Sequence, residues 1–88
     1  MVSGRVKKVI SEVIERRYKR TEVLESDMLL ENDLGLDSLD FVEVWCSLEE
    51  EFLIKIPKEH EQSSFRTVSD VIKIAQTVID EQEIARRG

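Results

Sequence analysis

Ser38 is the residue of this chain best placed to do chemistry. It follows a short turn segment, residues 32–35, and begins a run of acidic and apolar residues that predicts an amphipathic helix. Asp37 is a good helix N-cap, so the spacing puts Ser38 at the first helical position. A serine in this place could act as a catalytic nucleophile, or it could be the attachment point of a covalent group.

The neighbouring sequence does not favour a catalytic serine. Such a serine needs a positioned base and donors for an oxyanion. The only histidine is His60, in a polar stretch, and residues 35–39 lack the glycine after the serine that a hydrolase elbow uses. An attachment serine only has to be exposed, at a defined helix start and readable by a modifying enzyme. The sequence therefore favours attachment.

The acids around Ser38 raise the question of an ion site. Asp37 and Asp40 oppose reversible binding of a free anion at the helix N-terminus. Residues 33–43 do not fit an EF-hand loop, because the glycine falls at the third position rather than the sixth. The sequence predicts no dedicated metal site.

Charge and composition limit the class of protein. The 88 residues, with a net charge of -6, predict a single domain over residues 1–88, with residues 1–2 and 81–88 frayed. Residues 1–20 are basic and residues 21–65 strongly acidic, so basic proteins are better partners than nucleic acids or anionic membranes. There is no apolar run of membrane-spanning length, and we expect a cytoplasmic protein without stable membrane insertion.

Hydrophobic periodicity predicts an all-α fold: a small antiparallel bundle of three main helices plus one short helix, with a long first loop. The first helix is expected over residues 3–19 and the second over residues 38–52. A capping signature at Thr67 and Asp70 starts the last helix. Residues 21–36 form the long loop, and residues 58–64 can form at most a short helix.

The second helix carries two apolar stripes. The wider one, which includes Trp45, is a core face. The narrower one consists of Leu39, Val42 and Cys46 and is flanked by Asp40, Glu43, Glu49 and Glu50. An apolar strip edged by one sign of charge suits a docking surface. Helix geometry alone leaves open the alternative that this stripe packs against another helix of the bundle.

Residues 31–57 resemble the acyl carrier protein (ACP) family. The resemblance rests on Asp33-Leu-Gly-Leu-Asp-Ser-Leu-Asp40, on Glu43, on Leu48-Glu-Glu-Glu-Phe52 and on Ile56-Pro57. In that family the serine carries 4'-phosphopantetheine, donated by coenzyme A, whose thiol holds an acyl group as a thioester. The resemblance implies a carrier that is a substrate of other enzymes and is not itself a catalyst.

The resemblance also assigns roles to residues. Ser38 is similar to the attachment serine, with Asp37 and Leu39 beside it. The implied partner-reading residues are Asp40, Val42, Glu43, Cys46, Glu49 and Glu50. The implied lining of an acyl pocket is Leu30, Val44, Leu48, Ile56, Phe65 and Ile72.

Partners follow from the same resemblance. They are a phosphopantetheinyl transferase and an acyl-ACP synthetase, ketosynthase or acyltransferase with a basic docking surface, acting on a monomeric carrier in fatty-acid, polyketide or other specialised biosynthesis. The bulky Trp45 and the basic first helix favour a specialised carrier. Two alternatives stay open: an amino-acyl, peptidyl or D-alanyl carrier, and an unmodified helical adaptor.

Overall fold

A computed structural model describes residues 2–57 and 66–87 of the chain. It contains three α-helices: α1 (Val2–Tyr18), α2 (Ser38–Phe52) and α3 (Val68–Arg87). The described residues contain no strand, only an isolated antiparallel bridge between Leu29 and Thr67. The all-α bundle of three main helices is therefore confirmed, and α1 and α2 begin and end within one residue of their predicted bounds. The predicted short helix, His60 and Phe65 lie outside the described residues.

The core is built from the apolar stripes that helical spacing predicts. α1 packs against both other helices. Its buried residues recur every three or four positions, as an amphipathic helix requires. They are Val6, Val9, Ile10, Val13 and Ile14. α2 adds Val44, Trp45 and Leu48, and α3 adds Val68, Val71, Ala75 and Val78.

The loop between α1 and α2 contributes side chains to the core. Four of its leucines are buried there: Leu24, Leu30, Leu34 and Leu36. The loop backbone forms hydrogen bonds with the residues at the start of α3. The Leu30 amide donates to the Arg66 carbonyl at 2.8 Å, and the Ser69 amide donates to the Ser26 carbonyl at 2.8 Å. The loop therefore has one defined path, and that path sets where α2 begins.

Side-chain pairs show that α1 and α2 are antiparallel. Near the start of α1, the Arg5 Nε donates to Glu51 Oε2 at 2.9 Å near the end of α2. At the end of α1, Arg17 forms an ion pair with Asp40 in the first turn of α2. The basic end of α1 consequently lies beside the acidic beginning of α2.

α3 extends to Arg87. The fraying expected of residues 81–88 stays a prediction. One expectation about α1 is wrong. Tyr18, which fits the apolar spacing of α1, is 40% exposed instead of buried, because its ring lies at the helix end with its hydroxyl bonded to Asp40. Helical spacing locates a residue on a face, but it does not show where the neighbouring element stops.

α2 ends at Phe52, and its C-cap residue, Leu53, is in the left-handed conformation with φ 54° and ψ 50°. Its amide donates to the Glu49 carbonyl. This C-terminal position usually holds glycine, because a Cβ in the left-handed region costs about 1–2 kcal/mol. The Leu53 side chain is 78% exposed, so it gains little burial in return.

We predict that Leu53→Gly raises the free energy of unfolding by about 0.5–1 kcal/mol, the relief of backbone strain exceeding the added entropy of the unfolded chain. Leu53→Ala is the matched control, because it removes the same exposed side chain but keeps the Cβ. Urea unfolding measures both. An equal change in the two variants would show that the gain does not come from the backbone.

Candidate functional site

Ser38 is exposed at the first residue of α2. Within residues 2–57 and 66–87, no hydrogen bond engages its side chain. Its backbone, by contrast, is fixed from both sides by the cap of the helix. The hydroxyl is therefore free to react while the position of its Cα is held.

The cap is a reciprocal pair of aspartates around Ser38. The Asp40 amide donates to Asp37 Oδ1 at 3.0 Å, and the Asp37 amide donates to Asp40 Oδ2 at 2.9 Å. The predicted N-cap at Asp37 is confirmed, and Asp40 completes a capping box. Each aspartate satisfies a backbone donor that the start of a helix would otherwise leave unpaired.

Asp40 was predicted to lie on the partner-reading surface, and that placement is wrong. Its side chain is fully buried. The Tyr18 hydroxyl donates to Oδ2, and the Arg17 guanidinium forms an ion pair with Oδ1. The last turn of α1 covers this carboxylate, so a docking protein cannot contact it without displacing that turn.

The partners of Asp40 decide its ionisation. Burial opposes the charged form, but the hydrogen bonds from Tyr18 and the Asp37 amide and the ion pair with Arg17 together outweigh it. The pKa of Asp40 is accordingly below its ordinary value. The hydrogen bond to Asp40, with some burial, raises the pKa of the Tyr18 hydroxyl. The site thus holds a buried carboxylate anion next to a neutral phenol.

The narrower stripe of α2 faces outward. Leu39 is 66% exposed and Val42 is 57% exposed, and Cys46 is exposed as well. These side chains therefore do not pack into the bundle, which is the placement that docking requires. Their role in binding remains a prediction.

The acids beside this stripe differ in their surroundings. Glu43 and Glu49 are half-buried, and Glu50 is exposed. Glu43 pairs with Arg16, with 3.3 Å between Nη2 and Oε2. Glu49 accepts a hydrogen bond from the Ile56 amide at 2.8 Å. Glu50 is consequently the most accessible of the three.

The predicted acyl-pocket residues other than Phe65, which lies outside the described residues, belong to a filled core. Leu30, Val44, Leu48 and Ile56 are buried, and Ile72 packs against them while partly exposed. Leu30 and Val44 line a cavity of about 10 Å³ together with Ile10, Leu36, Phe41, Trp45 and Val71. That volume holds about one water molecule. An acyl chain would have to displace side chains to enter.

Sequence reasoning missed the residues of α1 that reach the site: Arg16, Arg17 and Tyr18. It treated the basic residues of α1 as a solvated face and Tyr18 as part of the core stripe. A signal was present, because two arginines end the first helix and an acidic turn begins the second. Only the path of the long loop, however, brings these two helix ends together.

Comparison with known proteins decides the family. A family model for the phosphopantetheine attachment site matches residues 4–75. An acyl carrier protein of Prochlorococcus marinus is 41% identical over 71 residues, which cover 81% of this chain and 88% of the relative. The chain belongs to the acyl carrier protein family.

Further comparisons agree. An acyl carrier protein of Wolinella succinogenes is 40% identical over 65 residues, covering 74% of this chain and 84% of the relative. The crystal structure of an acyl carrier protein from Thermotoga maritima has the same fold, with a TM-score of 0.75 at 24% identity, covering 92% of this chain and 94% of that one. Membership of the family decides between carrier and adaptor in favour of the carrier, and these relatives are acyl rather than amino-acyl carriers.

A carrier of this family holds acyl groups as thioesters on a covalent 4'-phosphopantetheine arm, and it interacts with a phosphopantetheinyl transferase and with biosynthetic enzymes. The exposed Ser38 hydroxyl fits such an arm, because a phosphodiester there would project into solvent from a fixed helix start. In the described part of the chain, no helix is long and apolar enough to cross a membrane. Over the same residues, no cluster of three metal-ligating side chains is found.

We predict that Asp40→Asn lowers the free energy of unfolding at neutral pH by about 1.5–3 kcal/mol, the range for hydrogen bonds to a charged group. Because folding lowers the pKa of Asp40, the unfolded chain binds more protons than the folded one in acid. This stabilisation is complete above the ordinary aspartate pKa of about 4 and is lost as the pH falls through the lower folded value. The difference between parent and variant should therefore shrink in acid.

Urea unfolding at a series of pH values measures this difference. Asp70→Asn is the comparison. Asp70 lies away from the site, and hydrogen bonds from the Arg66 and Thr67 amides lower its pKa as well. The effect of Asp70→Asn should add to that of Asp40→Asn. A deficit of Asp40→Asn that stays constant from about pH 7 to about pH 3 would contradict the role of the ionised carboxylate.

Proposed function

We propose that Ser38 is the attachment site of the phosphopantetheine arm. The observation that carries the proposal is an exposed, unengaged serine hydroxyl at the first residue of a capped helix. Ser38 also lies within the residues that match the attachment-site family. Among the serines of residues 2–57 and 66–87, only Ser38 is the first residue of a helix with a capping box made by two aspartates.

The chain contributes position rather than activation. During attachment the Ser38 Oγ bonds to the phosphorus that carries the pantetheine in coenzyme A, and the pyrophosphate bond of coenzyme A breaks, so that adenosine 3',5'-bisphosphate leaves. The serine proton passes to a base that the transferase has to supply. Asp37 has a structural role here, because its Oδ1 accepts the Asp40 amide in the cap. The carrier itself is non-catalytic in this proposal: it presents a bound thioester to enzymes that do the chemistry.

The exposed strip formed by Leu39, Val42 and Cys46, with Glu43 and Glu50 beside it, is the proposed docking surface for these enzymes. It begins one residue after Ser38, so a partner bound there would have the arm within reach. Complementary charge steers association, and the apolar side chains supply contact area. The proposed partners are acyl-ACP synthetases, ketosynthases and acyltransferases with basic surfaces, in the cytoplasm.

We also propose that acyl cargo enters the core between α2 and the later part of the chain, at the small cavity that Leu30 and Val44 line. Each buried methylene is worth about 0.8 kcal/mol before the cost of repacking. Trp45 lines the same cavity and is only 4% exposed, so its indole occupies space that cargo would need. Long chains should therefore be accommodated poorly.

The attachment site is tested by intact mass after incubation of the apo protein with coenzyme A and a broad-specificity phosphopantetheinyl transferase. The parent should gain one phosphopantetheinyl group, and Ser38→Ala should gain none while keeping its helical circular dichroism. Its free energy of unfolding should change by no more than about 0.5 kcal/mol, because the side chain is exposed. Ser26→Ala, at another exposed serine, should be modified like the parent. Modification of Ser38→Ala at Ser47, Ser63 or Ser64 would refute the assignment.

Cargo burial is tested by comparing thermal unfolding of the pantetheinyl and octanoyl forms. The octanoyl form should have the higher Tm, by about 4–8 °C for each kcal/mol gained, together with a change in Trp45 emission. In Trp45→Leu the rise should be larger, because removal of the indole opens the cavity. The acetyl form is the control, since its chain is too short to reach the core. If octanoylation changes neither Tm nor emission, the chain stays in solvent.

A further inference from the structure

Most acids of α2 already have a partner within the chain. Asp40 is buried under Arg17 and Tyr18, Glu49 accepts the Ile56 amide, and Glu51 pairs with Arg5 at 2.9 Å. Within residues 2–57 and 66–87, no ion pair or hydrogen bond engages the side chain of Glu50. A basic partner therefore meets fewer free carboxylates on α2 than the sequence suggests.

Glu43, the remaining acid of α2, lies beside the proposed docking surface, so its ion pair affects that surface directly. It follows the exposed Val42, and its carboxylate is 3.3 Å from the Arg16 guanidinium. The same Arg16 nitrogen is 3.5 Å from the Ser47 hydroxyl. Both side chains of the ion pair remain solvent-accessible, 58% for Arg16 and 43% for Glu43. The pair can therefore open, and a cation from another protein can reach Glu43.

Arg16 occupies the place that a partner's cation would take. It lies in the last turn of α1, where the helix dipole favours a positive charge and the antiparallel packing holds it against α2. The neighbouring Arg17 has the same arrangement toward Asp40, but there the carboxylate is buried and out of reach. Of these two pairs, only Arg16 with Glu43 is open to competition.

We propose that Arg16 is a specificity-determining residue that masks Glu43 and so weakens recognition of this carrier by enzymes with a basic docking surface. The inference rests on the proposed docking role of α2. A partner must displace Arg16 before it can pair with Glu43, so partners that depend mainly on apolar contact with Leu39 and Val42 lose less. Arg16 thereby selects among carrier-binding enzymes.

The size of the effect follows from the exposure of the pair. An exposed ion pair is weak, and its removal changes an equilibrium or a specificity constant by about two- to fivefold. The effect should also be largest at low ionic strength, because salt screens both the internal pair and the contact with the partner.

The test measures kcat/KM of a phosphopantetheinyl transferase with a basic carrier-binding face, acting on apo variants with coenzyme A. Arg16→Gln should raise kcat/KM by about two- to fivefold, and Glu43→Gln should lower it. In the double variant, Arg16→Gln should give no such gain, because there is no carboxylate to unmask. Arg5→Gln is the matched control: it makes the same change in net charge by opening the pair with Glu51 at the far end of α2.

Each outcome bears on one of the two proposals. If Glu43→Gln leaves kcat/KM unchanged, the docking role of this acid fails and the masking falls with it. If Glu43→Gln lowers kcat/KM but Arg16→Gln does not raise it, docking stands and masking is overturned. An equal gain in Arg5→Gln would assign the effect to net charge and would also overturn masking. A gain that depends on Glu43 and disappears at high salt supports the proposal.

Discussion

The buried carboxylate of Asp40 is the interaction on which the functional end of this protein depends. It caps α2 through the Asp37 amide and at the same time accepts the Tyr18 hydroxyl and pairs with Arg17. One side chain thereby joins the end of α1 to the beginning of α2. A buried charge is stable only if it is paired and hydrogen-bonded, and here those partners come from two helices. The location of Ser38 is a consequence of this junction.

A carrier has to combine a fixed attachment point with a mobile arm. The capping box holds the backbone on both sides of Ser38, whereas the hydroxyl itself is exposed and unengaged among the described residues. In the proposed function, a partner enzyme would therefore find the serine at a constant distance from the strip of Leu39 and Val42. The mobile arm would carry the acyl group to the partner's active site, and the rigid helix start would fix the point from which the arm extends.

Packing and charge both limit the space and the free carboxylates that this protein offers to other molecules. Its core leaves a cavity of only about 10 Å³ beside Trp45, so apolar cargo competes with side chains that already fill the space. Its acidic helix is partly neutralised by Arg5, Arg16 and Arg17 of α1. The same short-range interactions that stabilise the bundle thus reduce both the free volume and the free charge that other molecules could use.

The sequence by itself determined the three helices, the cap at Asp37 and the chemistry available to Ser38, because each depends on residue types at local spacing. It did not determine the environment of Asp40. That residue lies one helical turn before Val44, on the side that faces α1, but periodicity could not show that α1 extends far enough to cover it. The ion pair of Arg16 with Glu43 was hidden for the same reason. Both depend on the path of a long loop packed by Leu30 and Leu34, and such a path is set only when the whole core assembles.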